Sequence, residues 1–158
     1  MTTEEEIRSR LIECAWKWRK TPYHDHAGVI GCGCDCAYLL LRPAQEVGIV
    51  PMDFVVPDYS PQQWLNSKCQ TDRFKLRFED TTFLDIVKRL TKREIRESEV
   101  KPADVVIYKV AASWTHGAWV LDWPNNVLHA IKGLGVVSTH GTNEGFLQRR
   151  ERRFFSIF

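Results

Sequence analysis

The chain has 158 residues and a mass of 18.4 kDa, the size of one ordinary domain of about 100–200 residues, so residues 1–158 are expected to fold as a single unit. A content of 44% hydrophobic and 27% charged residues, with seven Pro and nine Gly, is that of a globular protein and excludes collagen, extended disorder and long coiled coil. The formal charge of +2 is too small a field to argue for nucleic acid, and apolar runs such as Ala37 to Leu41 fall far short of the 18 or so residues of a membrane span.

The start, Met-Thr-Thr-Glu-Glu-Glu, is acidic where a secretion signal is basic, so synthesis in the cytoplasm is expected. Thr3 and Glu6 stand at capping-box spacing ahead of Ile7, Leu11, Cys14 and Trp18, which predicts an amphipathic helix over 4–19, ended by Pro22. Asp35 is a good N-cap for a second, short buried helix over Cys36 to Leu41. Pro43 removes the donor to the Leu39 carbonyl, so a kink or restart near Arg42 is expected. Pro51, Pro57 and Pro61 mark an irregular crossing with a helical turn at Ser60-Pro61. Phe83, Ile86, Val87 and Leu90 fit i, i+3, i+4, i+7 and predict a further amphipathic helix, running out in the charged stretch Lys92 to Glu99.

From Pro102 the pattern turns to short strands: 104–110, 115–121, 127–131, 135–138 and 153–157. Helices first and strands after is the order of an α+β domain, with the helices on an antiparallel sheet. The basic run Gln148 to Arg153 reads as a solvated face.

Five Cys cannot all pair within one chain, and three of them stand together at Cys32, Cys34 and Cys36. Thiols in a reducing compartment are catalytic or metal-binding more often than structural. A thiol reacts as the thiolate, which the free N–H groups and dipole of a helix N-terminus favour. Only Cys36 has that position. The histidines available to it include His116 and His129, on successive predicted strands. In an antiparallel hairpin opposed residues have a constant sum of numbers and share a face. If Asp122 to Asn125 form a four-residue loop the sum is 247, His129 opposes Ala118, and His129 lies diagonal to His116 on one face; a five-residue loop would put the two on opposite faces. The catalytic reading requires both to share that face and to face the N-terminus of the Cys36 helix.

Thr21-Pro22-Tyr23, then Gly31 through Asp35-Cys36-Ala37, then Pro102-Ala103-Asp104-Val105-Val106, His116-Gly117-Ala118-Trp119-Val120 and Leu128-His129-Ala130 resemble, in order, the motifs of the NlpC-type papain-like cell-wall peptidases. The tract from Pro22 to Cys36 looks most like the phage-encoded branch of that family. The resemblance implies a papain-like α+β fold with the nucleophile helix packed on an antiparallel sheet. It implies a cysteine peptidase: Cys36 as nucleophile, His116 as general base, His129 as the group that orients His116, and Tyr23 as a donor to the tetrahedral oxyanion. It implies as substrate the peptide stem of peptidoglycan, cut beside a γ-linked D-glutamyl residue, with Asp35 touching substrate, serving as the helix N-cap, or both. Ala37 stands where many members have Ser, Tyr38 where Gly is usual, and Pro43 interrupts a helix that the family continues.

A thiolate needs a base within about 3 Å, and the base an orienting partner on its other nitrogen. Such a pair commonly rests as thiolate and imidazolium, which would give a bell-shaped pH profile near neutrality. No cofactor is expected, and the partners are the peptidoglycan peptide and, for a virion component, a phage-tail or delivery-machine protein, with action at the bacterial cell wall. Three alternatives stay open: a non-catalytic phage-tail or assembly module on the same fold, an amidase or acyltransferase using the same residues, and a zinc site of Cys32, Cys34 and Cys36 with His24 or His26, whose C-x-C-x-C spacing is not that of usual zinc knuckles.

Overall fold

A computed structural model describes residues 1–57, 59 and 82–158. Helix α1 spans Glu4–Trp16 and opens with the expected capping box: the Thr3 hydroxyl accepts from the Glu6 N–H at 3.2 Å, and the Glu6 carboxylate accepts from the Thr3 N–H at 2.7 Å. It ends three residues before the expected position because Trp18 and Arg19 donate to the third carbonyl back, tightening the chain into turns toward Pro22. Buried Arg8 pins α1 to the sheet, donating to Asp104 Oδ1 at 2.9 Å and to the Pro102 carbonyl at 2.7 Å.

Two short strands, β1 (Gly28–Val29) and β2 (Gly33–Cys34), form a small hairpin that sequence periodicity does not register. Helix α2 follows at Cys36–Glu46 with Asp35 as its N-cap. Contrary to the expected break near Arg42, α2 runs through Pro43. The carbonyl that Pro43 deprives of a donor is Leu39 O, and the indole N–H of Trp119 donates to it at 2.8 Å. Tyr38 is accommodated by Gly28, where an added Cβ would fall 2.5 Å from the Tyr38 ring, and the Arg42 guanidinium lies 5.6 Å from the centroid of that ring.

Helix α3 spans Phe83–Leu90, with Thr82 and Asp85 in a capping box and Phe83, Ile86, Val87 and Leu90 buried as their spacing predicts. The charged stretch after it is ordered as strand β3 (Arg93–Ile95) and a short 3-10 turn at Glu97–Glu99. The expected turn at Ser60-Pro61 lies outside the described residues.

Strands β4 (Val105–Val110), β5 (Ser113–Asp122), β6 (Asn126–Ile131), β7 (Gly135–Thr139) and β8 (Arg152–Ser156) join β3 in one antiparallel sheet of order β3-β8-β4-β5-β6-β7. One face, with Val105, Ile107, Trp119, Leu128 and Val136, packs on Leu11, Leu39, Leu40 and Ile86 of the helices. The other face, with Val106, Tyr108, Ala118, Val120 and Val127 joined by Phe154 of β8 and Ile95 of β3, is covered by Leu147 of the β7–β8 connection. Full burial of such side chains is worth roughly 1.5–3 kcal/mol each. Gly117 lets the helices come close to β5, since a Cβ there would meet Phe83 at 2.7 Å and Leu40 at 3.2 Å. The architecture is the α+β arrangement of a nucleophile helix on an antiparallel sheet.

Candidate active site

The β5–β6 register places Ala118 opposite His129, Trp119 opposite Leu128 and Val120 opposite Val127. That is the constant sum of 247, reached differently from the expected four-residue loop: Asp122 pairs with Asn126, and a bulge at Leu121 absorbs the extra residue. His116 and His129 therefore share a face, the Ala118 face away from the helices, and His116 Nε2 lies 2.8 Å from His129 Nδ1 with the rings near perpendicular; the expectation that both look toward the N-terminus of the Cys36 helix is not met by His129.

Pairing of β5 with β6 stops at Ala118↔His129, although β5 begins at Ser113 and β6 continues to Ile131. The two strands part there, and the N-terminus of α2 reaches the opening. A cavity of about 370 Å³ results, lined by Thr115 and His116 from β5, by Ala130, Ile131 and Lys132 from β6 and its turn, and by Tyr23, Asp25, Cys36, Tyr59 and Phe146. Cys36 and His116 thus open on one space. His129 lies behind His116 and is buried, so of the two histidines only His116 faces the cavity.

The Cys36 thiol donates to the Thr115 carbonyl, the residue before His116, at 3.8 Å. Burial pushes the thiol up to about 12, reinforced by the Asp35 carboxylate and opposed by the Gly117, Cys36 and Ala37 N–H groups. Burial, the neighbouring His129 and Arg150 hold His116 well below the ordinary histidine value, and burial lowers His129 to about 4. Burial thus disfavours the charged form of both Cys36 and His116 and weighs against the ion pair expected from the sequence.

Tyr23 is half-buried on the cavity wall. Burial and the nearby Cys36, Asp25 and Asp35 raise its phenol, which keeps it a hydrogen-bond donor across the physiological range. Asp35 is closed to solvent with its carboxylate engaged: Oδ1 accepts from the Tyr38 N–H at 3.0 Å, Oδ2 from the His26 N–H at 2.7 Å, and the Tyr59 hydroxyl also donates to Oδ2. Of the two roles considered for Asp35 the geometry is that of the N-cap. Its carboxylate has no open surface in this arrangement.

The other two cysteines of the cluster diverge from Cys36. Cys32 is exposed, and the buried Cys34 donates to the Asp35 carbonyl at 3.1 Å. Among the described residues no group of three His, Cys, Asp or Glu side chains is placed to hold a metal ion.

Three groups beside the site were not anticipated. Tyr59 follows a proline-rich stretch with no periodicity to read. Phe146 packs its ring edge to face with His116 at 5.0 Å from the short 3-10 turn Gly145–Leu147. Thr139 Oγ1 lies 2.8 Å from His129 Nε2, and it could have been found by carrying the constant-sum count one hairpin further.

No protein-family description matches the sequence, and no curated protein is similar to it in sequence. Solved structures are similar in fold. The NlpC/p60 domain of the peptidoglycan hydrolase SagA aligns over 92% of this chain and 96% of its own, with a TM-score of 0.56 and 14% identity. The P60 domain of a Mycobacterium avium subspecies paratuberculosis antigen aligns over 97% of this chain and 96% of its own, with a TM-score of 0.59 and 15% identity. RipD of Mycobacterium tuberculosis, described as a non-catalytic NlpC/p60 domain protein adapted to peptidoglycan binding, aligns over 96% of this chain and 98% of its own, with a TM-score of 0.58 and 13% identity. The chain has the papain-like α+β fold of NlpC/p60 domains.

Proposed function

We propose that the chain is a cysteine peptidase that cuts the peptide stem of peptidoglycan. One observation carries the reading: Cys36, at the N-terminus of α2, opens on the same cavity as His116, whose far nitrogen is held by His129 at 2.8 Å. In the first step His116 Nδ1 takes the proton of the Cys36 thiol as the sulfur bonds to the substrate carbonyl carbon. The N–H groups of Cys36 and Ala37 lie in the first turn of α2, without intrahelical acceptors, and with the Tyr23 phenol they supply donors for the developing oxyanion. The protonated imidazole then gives its proton to the leaving amine. Water, deprotonated by the same imidazole, hydrolyses the thioester and returns Cys36 to the thiol. With burial disfavouring both charges, proton transfer accompanies attack.

The bond assigned is the one beside the γ-linked D-glutamyl residue, and the place of action is the bacterial cell wall. The likeness in fold to the NlpC/p60 domain of a peptidoglycan hydrolase supports the substrate class. Digestion of purified peptidoglycan, with released fragments identified by mass spectrometry, tests it: fragments ending at γ-D-glutamyl are expected, and an undigested sacculus would overturn the reading.

A second reading, peptidoglycan binding without cleavage, is favoured by two observations: the Cys36 thiol is turned to Thr115 O, and RipD has a similar fold. Sedimentation with intact sacculi and no release of fragments would establish it.

A further inference from the structure

Three successive strands place one polar side chain each on the same face of the sheet. His129 opposes Ala118, so His116, two residues before Ala118, is its diagonal neighbour on β5. His129 also opposes Val137, so Thr139, two residues beyond, is its diagonal neighbour on β7. The side chains meet: His116 Nε2 to His129 Nδ1 is 2.8 Å and His129 Nε2 to Thr139 Oγ1 is 2.8 Å. With both imidazoles neutral, each carries one N–H, and the chain of contacts can run in only two directions.

In one direction His116 Nε2–H donates to His129 Nδ1, and His129 Nε2–H donates to Thr139 Oγ1. His116 Nδ1 is then an acceptor. In the other, the Thr139 hydroxyl donates to His129 Nε2, His129 Nδ1–H donates to His116 Nε2, and His116 Nδ1 carries the proton, so it cannot take one from a thiol. Only the first direction leaves His116 Nδ1 with a free lone pair, and Nδ1 is the one nitrogen of the pair not engaged in the two 2.8 Å contacts, so it is the direction that a base for Cys36 requires. Thr139 is partly exposed, so its own hydroxyl proton reaches solvent while its oxygen accepts.

We propose that Thr139 is a positioning residue, the terminal acceptor that fixes the direction of a His116 → His129 → Thr139 relay and leaves His116 Nδ1 open as the base for Cys36. The choice of direction rests on the peptidase reading, whereas the His116–His129–Thr139 chain of contacts does not.

The test is nitrogen-15 NMR of ring-labelled histidine in the free protein at pH 7, which reports the tautomer of each ring, combined with steady-state kinetics. Wild type should show His116 and His129 both as Nε2–H. Thr139→Val, which keeps the shape and loses the hydroxyl, should shift His116 toward Nδ1–H. It should also lower kcat roughly 10- to 100-fold with little change in KM, short of the about 10⁴-fold loss that a wrong tautomer causes in the Ser-His-Asp triad. Thr139→Ser should restore both the spectrum and the rate. A wild-type spectrum with His129 as Nδ1–H overturns the proposal whether or not the Val variant folds, and so does a folded Val variant with unchanged tautomers. If the tautomers are as stated but wild type releases no fragments, the relay stands and the peptidase reading falls.

Discussion

Replacing Trp119 with Phe strands the Leu39 carbonyl, because Pro43 has no N–H to offer it and the indole at 2.8 Å is its donor. Leu39 and Trp119 are both buried, so water cannot step in. A buried carbonyl left without a donor costs about 1–3 kcal/mol, and the smaller ring adds a packing loss. Pro43→Ala separates the two effects: it restores an N–H four residues after Leu39, so Trp119→Phe in that background loses packing alone. The difference between the two costs is the worth of the indole bond, expected at about 1–3 kcal/mol of coupling. Urea denaturation of the four proteins, with midpoints compared at equal slope, measures it. Costs equal in the two backgrounds within about 0.5 kcal/mol would refute the idea that Trp119 substitutes for the proline's missing donor. The bond ties the helix that carries Cys36 to the strand that carries His116, so the result bears on the site as well as the fold.

Stability should fall as pH drops below 6.5, since His129, lowered to about 4 in the fold, takes up a proton on unfolding. The unfolded chain binds the extra proton throughout that window, giving up to 1.36 kcal/mol per pH unit, or about 3 kcal/mol over its width. The difference between wild type and His129→Gln isolates this loss, and parallel pH dependences for the two would contradict it. The pH profile of kcat/KM should be a plateau from about pH 6.5 into the alkaline range: protonation of His116 sets the acid limb below its ordinary value, and Cys36 ionises only near 12. A bell falling away at pH 8 would mean that the pair rests as an ion pair after all. Alkylation of the native protein, followed peptide by peptide, should modify exposed Cys32 well before Cys36, which is 6% exposed and neutral; faster labelling of Cys36 would show an ionised thiolate.

The positions that carry the site were legible where local chemistry decides structure. Asp35 announces the start of α2 and so the setting of Cys36. The loop count predicts the face shared by His116 and His129, although a bulge at Leu121 and not the assumed loop delivers it. Legibility ended where a distant group intervenes. Pro43 reads as a helix break because its missing donor is visible in the sequence and the replacement from Trp119, 76 positions later, is not. The charge state of Cys36 and His116 follows from burial, which no local pattern records. The strands β1, β2 and β3 are two or three residues long, too short for an alternation to appear. Arg8 is buried because Asp104 and Pro102, more than 90 positions later, meet it, a partnership that no local pattern records.

The nucleophile is tested most directly by Cys36→Ala, Cys34→Ala and Cys32→Ala, each checked for native circular dichroism and incubated with purified peptidoglycan beside wild type. Release of stem-peptide fragments by wild type and by the Cys32 and Cys34 variants, with none from Cys36→Ala, is the expected result. Release by Cys36→Ala at the wild-type rate, or its loss in Cys34→Ala instead, would contradict the assignment of Cys36 as the attacking thiol.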